Sequence, residues 1–308
     1  MVSRLNKAAG RPLRIRAPLE DKVFYAISYT LVGLFALVVL YPIIFVVSAS
    51  FSSGIAVTTG QVVLWPVDVS LEGYRAVFSH RRILGGFRNT VLYTAAGTFI
   101  NVCMTLLAAY PLSRHDMQWR KGYMWLFTFT MFFSGGLIPT YILISKLKMV
   151  NTVWAVLIPG AISVYNMIVT RTFIQNNIPR EMLESAMIDG CSDARYFFTM
   201  VLPLSNAVIA VITLFYAVGH WNSYFSAMIY LNDLELQPLQ LILRDILIKN
   251  QINSNEFKKA TDLMTERQNL ADQLKYALIV ISSVPIIMVY PFVQRYFIQG
   301  VMIGSIKG

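Results

Sequence analysis

"EMLESAMIDGCSDARYFFTMVLP", residues 181–203, sets four carboxylates (Glu181, Glu184, Asp189 and Asp193) in one short stretch between long apolar segments. Pro179 suits the first turn of a helix, where its missing N–H costs nothing. Arg180 to Asp189 is rich in helix formers, and Glu181 falls in the turn that favours an acid. Gly190 suits a left-handed cap. Ser192 can cap a second short helix beginning at Asp193 and Ala194. Pro203 closes the unit and opens the next apolar run. The stretch thus reads as a helix–glycine–helix elbow over residues 179–203, with small Ser185 and Ala186 permitting close approach. Leu183 and Met187 lie four apart as an apolar stripe, and Glu184 projects beside them. A plainer reading is a solvated loop whose charges hold it in water, and the residues alone favour that one.

Outward from this stretch the chain is oily. Hydrophobic residues make up 56%, charged residues 14%, and mean hydropathy is +0.56. A soluble domain carries about a quarter charged residues, so the composition predicts an all-α integral membrane protein. Six predominantly apolar stretches reach the length a bilayer requires, predicting helices at about 23–49, 88–110, 123–145, 152–173, 203–231 and 275–296. The first apolar run exceeds the ~7–15 residues of a signal-peptide core, and Tyr41-Pro42 interrupts it without a small-residue cleavage site. It is therefore read as an anchor helix. Cys103 and Cys191 fall at different levels and suggest neither a disulfide nor a metal site.

Lys and Arg set the orientation. Arg4, Lys7, Arg11, Arg14, Arg16 and Lys22 precede the first helix. With six spans both termini then lie in the cytoplasm, as does the elbow. The organisation that follows is a basic cytoplasmic segment over 1–22, a transmembrane domain over 23–299 and a cytoplasmic tail over 300–308. The longest external loop, 233–273, carries an amphipathic pattern through Leu239, Ile242, Leu243, Ile246 and Leu247, suited to contact with another protein or with lipid. Residues 52–86 are expected to pack at the same outer face. The net charge of +10 is a topology and lipid-headgroup signal. Its cations are not interleaved with aromatic platforms, and nothing suggests nucleic-acid binding.

The spans are also telling for what they lack. Away from their ends they hold no Asp, Glu, Lys or Arg, and only Arg88, Arg171, Lys275 and Arg295 touch the boundaries. Ion-coupled carriers place such groups at membrane depth, so an ion-driven carrier is disfavoured and a passive channel is left open. No glycine precedes a lysine, so there is no phosphate-binding P-loop, and no HExxH or nucleophile elbow occurs. The reading is a non-catalytic membrane subunit, and any uphill transport takes its energy from elsewhere.

One resemblance sharpens this. Glu184-Ser185-Ala186, then Gly190, Met200 and Leu202-Pro203 keep every spacing of the EAA motif found in importer-type ABC transporter permeases. Asp189-Gly190 matches the form common in carbohydrate permeases. Ser185 replaces Ala and Met200 replaces Ile, both conservatively. Three further stretches, Gly136 to Pro179, Pro238 to Leu247 and Gly300 to Gly308, resemble the subfamily related to LplC and YtcP.

The resemblance implies a type I ABC importer permease fold in a bacterial cytoplasmic membrane. It implies four kinds of partner: a second homologous permease, two cytoplasmic ATPase subunits, an extracellular binding protein or lipoprotein, and a carbohydrate substrate of the oligosaccharide class. No cofactor is expected on this chain, since ATP and Mg belong to the ATPases. Glu184, Ser185, Ala186, Asp189, Gly190, Leu202 and Pro203 are then the coupling residues. Glu184 would pair with a basic residue of the ATPase groove, and the fifth helix would be driven through Leu202-Pro203. The tail is expected to reach between the ATPase subunits, as in the maltose importer.

For the sugar pathway the candidates are Tyr216, His220 and Tyr224 at four-residue spacing, Trp221 and Asn222 beside them, and Tyr165 and Asn166 after a break at Pro159-Gly160. Equally, Trp221, Tyr224 and Tyr230 suit an aromatic belt, with the polar groups bonding neighbouring helices. A stand-alone facilitator and a non-transporting scaffold are the alternatives in other classes.

Overall fold

A computed structural model describes residues 18–256 and 271–289, with 291 and 294 as isolated positions. Most of the basic N-terminal segment, residues 257–270 of the outer loop, the end of the sixth expected span and the C-terminal tail lie outside the described residues. Among the described residues all regular structure is helical.

The first helix, α1 (Leu19–Ser50), has Glu20 and Asp21 in its opening turn and Pro42 within it. Its apolar window averages a hydropathy of 2.7. Until its last turns its side chains face outward all round, as for Leu31, Phe35 and Val38. A helix with no polar face is stable only in hydrocarbon or against other apolar helices. Two short helices follow, α2 (Gly54–Thr58) and α3 (Glu72–Ser79). They fold back on the end of α1, where Ala49, Ala56 and Val62 form a small cluster with Tyr276.

The spine of the molecule is α4 (Arg81–Ser113), about 50 Å long at 1.5 Å per residue. One face is a stripe of small and polar residues: Gly86, Asn89, Thr90, Gly97, Asn101, Thr105 and Ala109, all buried. Such faces let membrane helices approach closely and bond through side chains. A Cβ on Gly86 would lie 2.4 Å from Ile242, and one on Gly97 would lie 2.5 Å from the His220 ring.

The third expected span, over 123–145, is not one straight helix. It is α5 (Arg120–Phe132) and α6 (Leu137–Lys146), bent by 112°, with Gly136 at φ +83 before α6. The fourth is α7 (Trp154–Leu157) and α8 (Val164–Asn177), parted at the expected Pro159-Gly160 break. Ser163 caps α8 by accepting from the Asn166 N–H.

The elbow holds α9 (Arg180–Ile188) and α10 (Asp193–Tyr196), followed by a π-helical turn over Phe197–Val201 and the short α11 (Leu202–Leu204). Beyond Ser205 runs α12 (Asn206–Trp221), at 79° to the Asp193–Leu204 segment. The fifth expected helix therefore starts three residues late and stops at Trp221, with α13 (Phe225–Tyr230) as a separate piece.

A 3₁₀ turn at Leu234–Leu236 leads into α14 (Leu239–Glu256), the amphipathic helix expected there. Leu239 and Ile242 are buried against Val77, Ile83 and Leu278. The last is α15 (Ala271–Val289). Among the described residues three helices are long and apolar enough to cross a membrane, and five spans result if each bent pair counts as one.

Candidate functional site

The stretch 179–203 is folded, and the loop reading gives way. At the end of α9, Gly190 takes φ +72. Its N–H bonds Met187 O at 3.1 Å, and the Cys191 N–H bonds Ala186 O at 2.9 Å. This is the paired Schellman pattern, which satisfies the last helical carbonyls. Ser192 then caps α10, accepting from the Arg195 N–H. Ala186 is buried with Leu106, Ile174, Tyr196, Phe197 and Val201, so a small side chain at this position is a packing requirement.

The opposite face of α9 is open. Glu184, Ser185, Ile188, Asp189 and Gly190 are exposed, with Ile188 at 86%. The expected Leu183–Met187 stripe does not form one outward surface. Leu183 packs into the cluster with Ala186 while Met187 is half exposed, and Ile188 is the outward apolar group the spacing argument missed. Glu184 is already paired within the chain, to Arg180 Nε at 2.8 Å. Both groups are more than half exposed, so this pair is weak and exchangeable. Leu202 is partly buried and Pro203 exposed, ahead of the corner at Ser205.

A cleft of about 320 Å³ separates α9 from the end of α4, lined by Tyr110, Arg114, Ile178, Leu183, Glu184 and Met187. Arg114, just past α4, is 12% exposed and meets three partners. Its Nε donates to Asp116 at 2.9 Å, and its Nη1 donates to the Asp193 carboxylate and, at 3.3 Å, to the Tyr110 hydroxyl. The hydrogen bond with Arg114 holds the Asp116 carboxyl below its ordinary pKa, and the same bond raises that of Arg114. The terminal carbonyls of α4 are capped from α8: Arg171 Nε reaches Leu112 O at 2.8 Å and Gln175 Nε2 reaches Ser113 O at 2.9 Å.

The seven pathway candidates do not share one environment. His220 Nε2 lies 2.6 Å from Asn101 Oδ1, and Asn101 Nδ2 donates to Gly160 O at 2.5 Å. Since an amide oxygen only accepts, this assigns the proton to Nε2. The Tyr216 hydroxyl accepts from the Ser163 N–H at 3.1 Å and lies 2.6 Å from Thr105 Oγ1. Trp221 Nε1 donates to Ser282 O at 2.9 Å, and Asn166 is buried at the start of α8. These four face inward, and three of them tie helices together. Tyr165, Asn222 and Tyr224 are exposed instead.

At the far end of α4 lies a wide cleft of about 1020 Å³, with Arg81, Arg82, Arg88, His80 and Glu235 in its lining, of which the sequence marks only Arg88, as a cation at a span boundary. Arg82 donates to Gln237 Oε1 at 2.6 Å and Asp245 at 3.3 Å. Among the described residues Arg81 and Arg88 have no carboxylate within 4.0 Å. Asn89, Thr90 and Tyr93 fix the cleft's wall by bonding the backbone of residues 235–239.

No family model matches the chain. It is 39% identical, over 94% of its length and 100% of the relative's, to the polygalacturonan/rhamnogalacturonan transport system permease protein YtcP of Bacillus subtilis (strain 168). It is 36% identical to the protein LplC of the same organism, over 93% of this chain and 96% of that one. Among solved structures it resembles a chain of a bacterial ABC transporter involved in the import of the acidic polysaccharide alginate. The TM-score is 0.82 at 32% identity, covering 91% of this chain and 99% of the other.

Proposed function

The chain belongs to the permease subunits of carbohydrate-importing ABC transporters, and on that premise we propose that the 179–203 elbow is its coupling element, seated on an ATPase subunit and driven by it. The observation that carries this reading is the elbow's construction. One face of α9 is packed into the helices, its end is capped, and the opposite face presents Glu184, Ser185, Ile188 and Asp189 unobstructed. An exposed apolar side chain rimmed by carboxylates suits a protein groove better than water.

The chain makes six passes of the bacterial cytoplasmic membrane, those in the third, fourth and fifth positions interrupted, with both termini and the elbow in the cytoplasm. It pairs with a second permease above two ATPase subunits, which bind the ATP and Mg. An extracellular binding protein delivers the sugar. Glu184 exchanges its Arg180 partner for a basic residue of the ATPase groove, a pairing that sets register more than affinity.

The substrate is an acidic oligosaccharide. Two relatives are named for acidic polysaccharides, and Arg81 and Arg88, without a carboxylate partner among the described residues, line the cleft at the end of α4 away from the elbow, where guanidinium forks suit sugar carboxylates. Reconstitution with the neighbouring permease, an ATPase and the binding protein tests the whole reading. Vanadate-sensitive uptake of an oligogalacturonide is expected. Uptake that needs neither ATP nor partners would make the protein a facilitator and end the proposal.

A further inference from the structure

Two routes lead from the elbow into the membrane part. The covalent one runs through the π-helical turn and the 79° corner at Ser205 into α12. Ser205 is fully buried, and among the described residues its hydroxyl has no hydrogen-bond partner, so it does not brace the corner. Wide π turns and unbraced corners are where helical rods yield.

The second route is not covalent and is far better tied. Arg114 joins the end of α4 to Asp193 of α10, and the Tyr110 and Phe197 rings pack at 4.9 Å. Leu106 shares a buried cluster with Ala186, Tyr196 and Val201. Further along, α4 carries both side chains that hold the interior polar links. Asn101 joins His220 of α12 to the Gly160 carbonyl, and Thr105 meets Tyr216, which accepts from the Ser163 N–H. A shift of α4 therefore reaches α12 and the Pro159-Gly160 break together.

We propose that the elbow hands the motor's stroke to α4, with Arg114 as the positioning residue that clasps α10 to it through Asp193, and with Ser205 as a compliant joint. This rests on the coupling reading above.

The test uses the full complex of both permeases and the ATPase subunits. Spin labels on cysteines replacing exposed Leu84 and Leu234 report the outer cleft, without nucleotide and with ATP and vanadate in the presence of binding protein. ATPase retention is read by co-purification. In the otherwise unaltered complex a nucleotide-driven change in label distance is expected. Asp193→Arg should keep the ATPase bound while cutting the shifted population about five-fold. Arg114→Glu combined with Asp193→Arg should recover most of it. Asp193→Asn, nearly isosteric, should give an intermediate loss and covers failure of the charge-reversed chain to fold. An undiminished shift in Asp193→Asn or Asp193→Arg overturns the clasp, as does a complex whose labels do not respond to nucleotide. Loss of the ATPase from Asp193→Asn would make Asp193 a docking residue and also overturn it. Failure of the unaltered chain to retain any ATPase refutes the coupling reading instead.

Discussion

The two ends of α4 are built in opposite ways. At one end Arg114 lies between two carboxylates, α8 caps the last carbonyls, and the elbow's inner face is packed. At the other, Arg81 and Arg88 have no carboxylate partner among the described residues and lie beside an open cleft. A largely buried guanidinium held between two carboxylates makes a joint that keeps its geometry under load. Unpaired guanidiniums make a surface that waits for an anion. In the proposed reading one helix joins a mechanical end to a receiving end.

The harshest way to break this contrast is Gly190→Pro. It demands φ near −65° where the chain has +72 and removes the N–H bonded to Met187. Uptake should fall at least about ten-fold, because a lost cap and a strained left-handed residue together cost a few kcal/mol. Membrane abundance on blots should hold, since the apolar spans are untouched. Normal uptake at normal abundance would refute the elbow geometry.

Arg88→Gln probes the receiving end. Initial uptake of an oligogalacturonide at low substrate should drop about five-fold, less than the roughly ten-fold of a desolvated charge-assisted contact because Arg88 is exposed, while uptake of a neutral oligosaccharide of equal length is unaffected. Equal loss for both would show that Arg88 holds structure rather than anions.

Glu184→Lys sharpens the mechanical end. ATPase recovered by co-purification should fall about three-fold, in keeping with a rim charge pair. Recovery equal to the unaltered chain would remove Glu184 from the interface.

The smallest effect is acid sensitivity. The Asp116 carboxyl is depressed by its bond to Arg114. Its stabilisation is therefore fully present above the unfolded carboxylate value near ~3.9 and is lost as pH falls through the lower folded value. Asp116 is more than half exposed, so hydrogen exchange at the 114–116 loop should quicken by no more than about two-fold below pH 4. A change already complete at pH 5 would point to another group.

Much of this was legible along the chain. The elbow is local chemistry: a proline before α9, a glycine where φ must be positive, a serine cap. The Pro159-Gly160 break was readable for the same reason. Trp221 and Tyr216 were singled out, yet their partners lie on other helices, and spacing could not say whether they line a path or bond a neighbour. Arg114 could be read only as a cytoplasmic-loop cation, with no signal for its partner, because Asp193 lies 79 residues away. The bends at residues 133–136 and at Ser205 were equally silent, since apolar composition continues through both.

Residue order alone established a helical membrane protein and where its apolar runs fall; it offered the capped elbow over residues 179–203 as one reading, which the family resemblance preferred to a solvated loop. Those properties follow from hydrophobic length and from backbone preferences acting over a few residues. That α4 is the spine, that the elbow is tied to it through Arg114, that the third and fifth runs bend, and that Arg81 and Arg88 share a cleft emerged from the folded chain. Such features depend on which distant groups pack together. A paired or an open guanidinium is a property of neighbours in space, which the order of residues does not reveal.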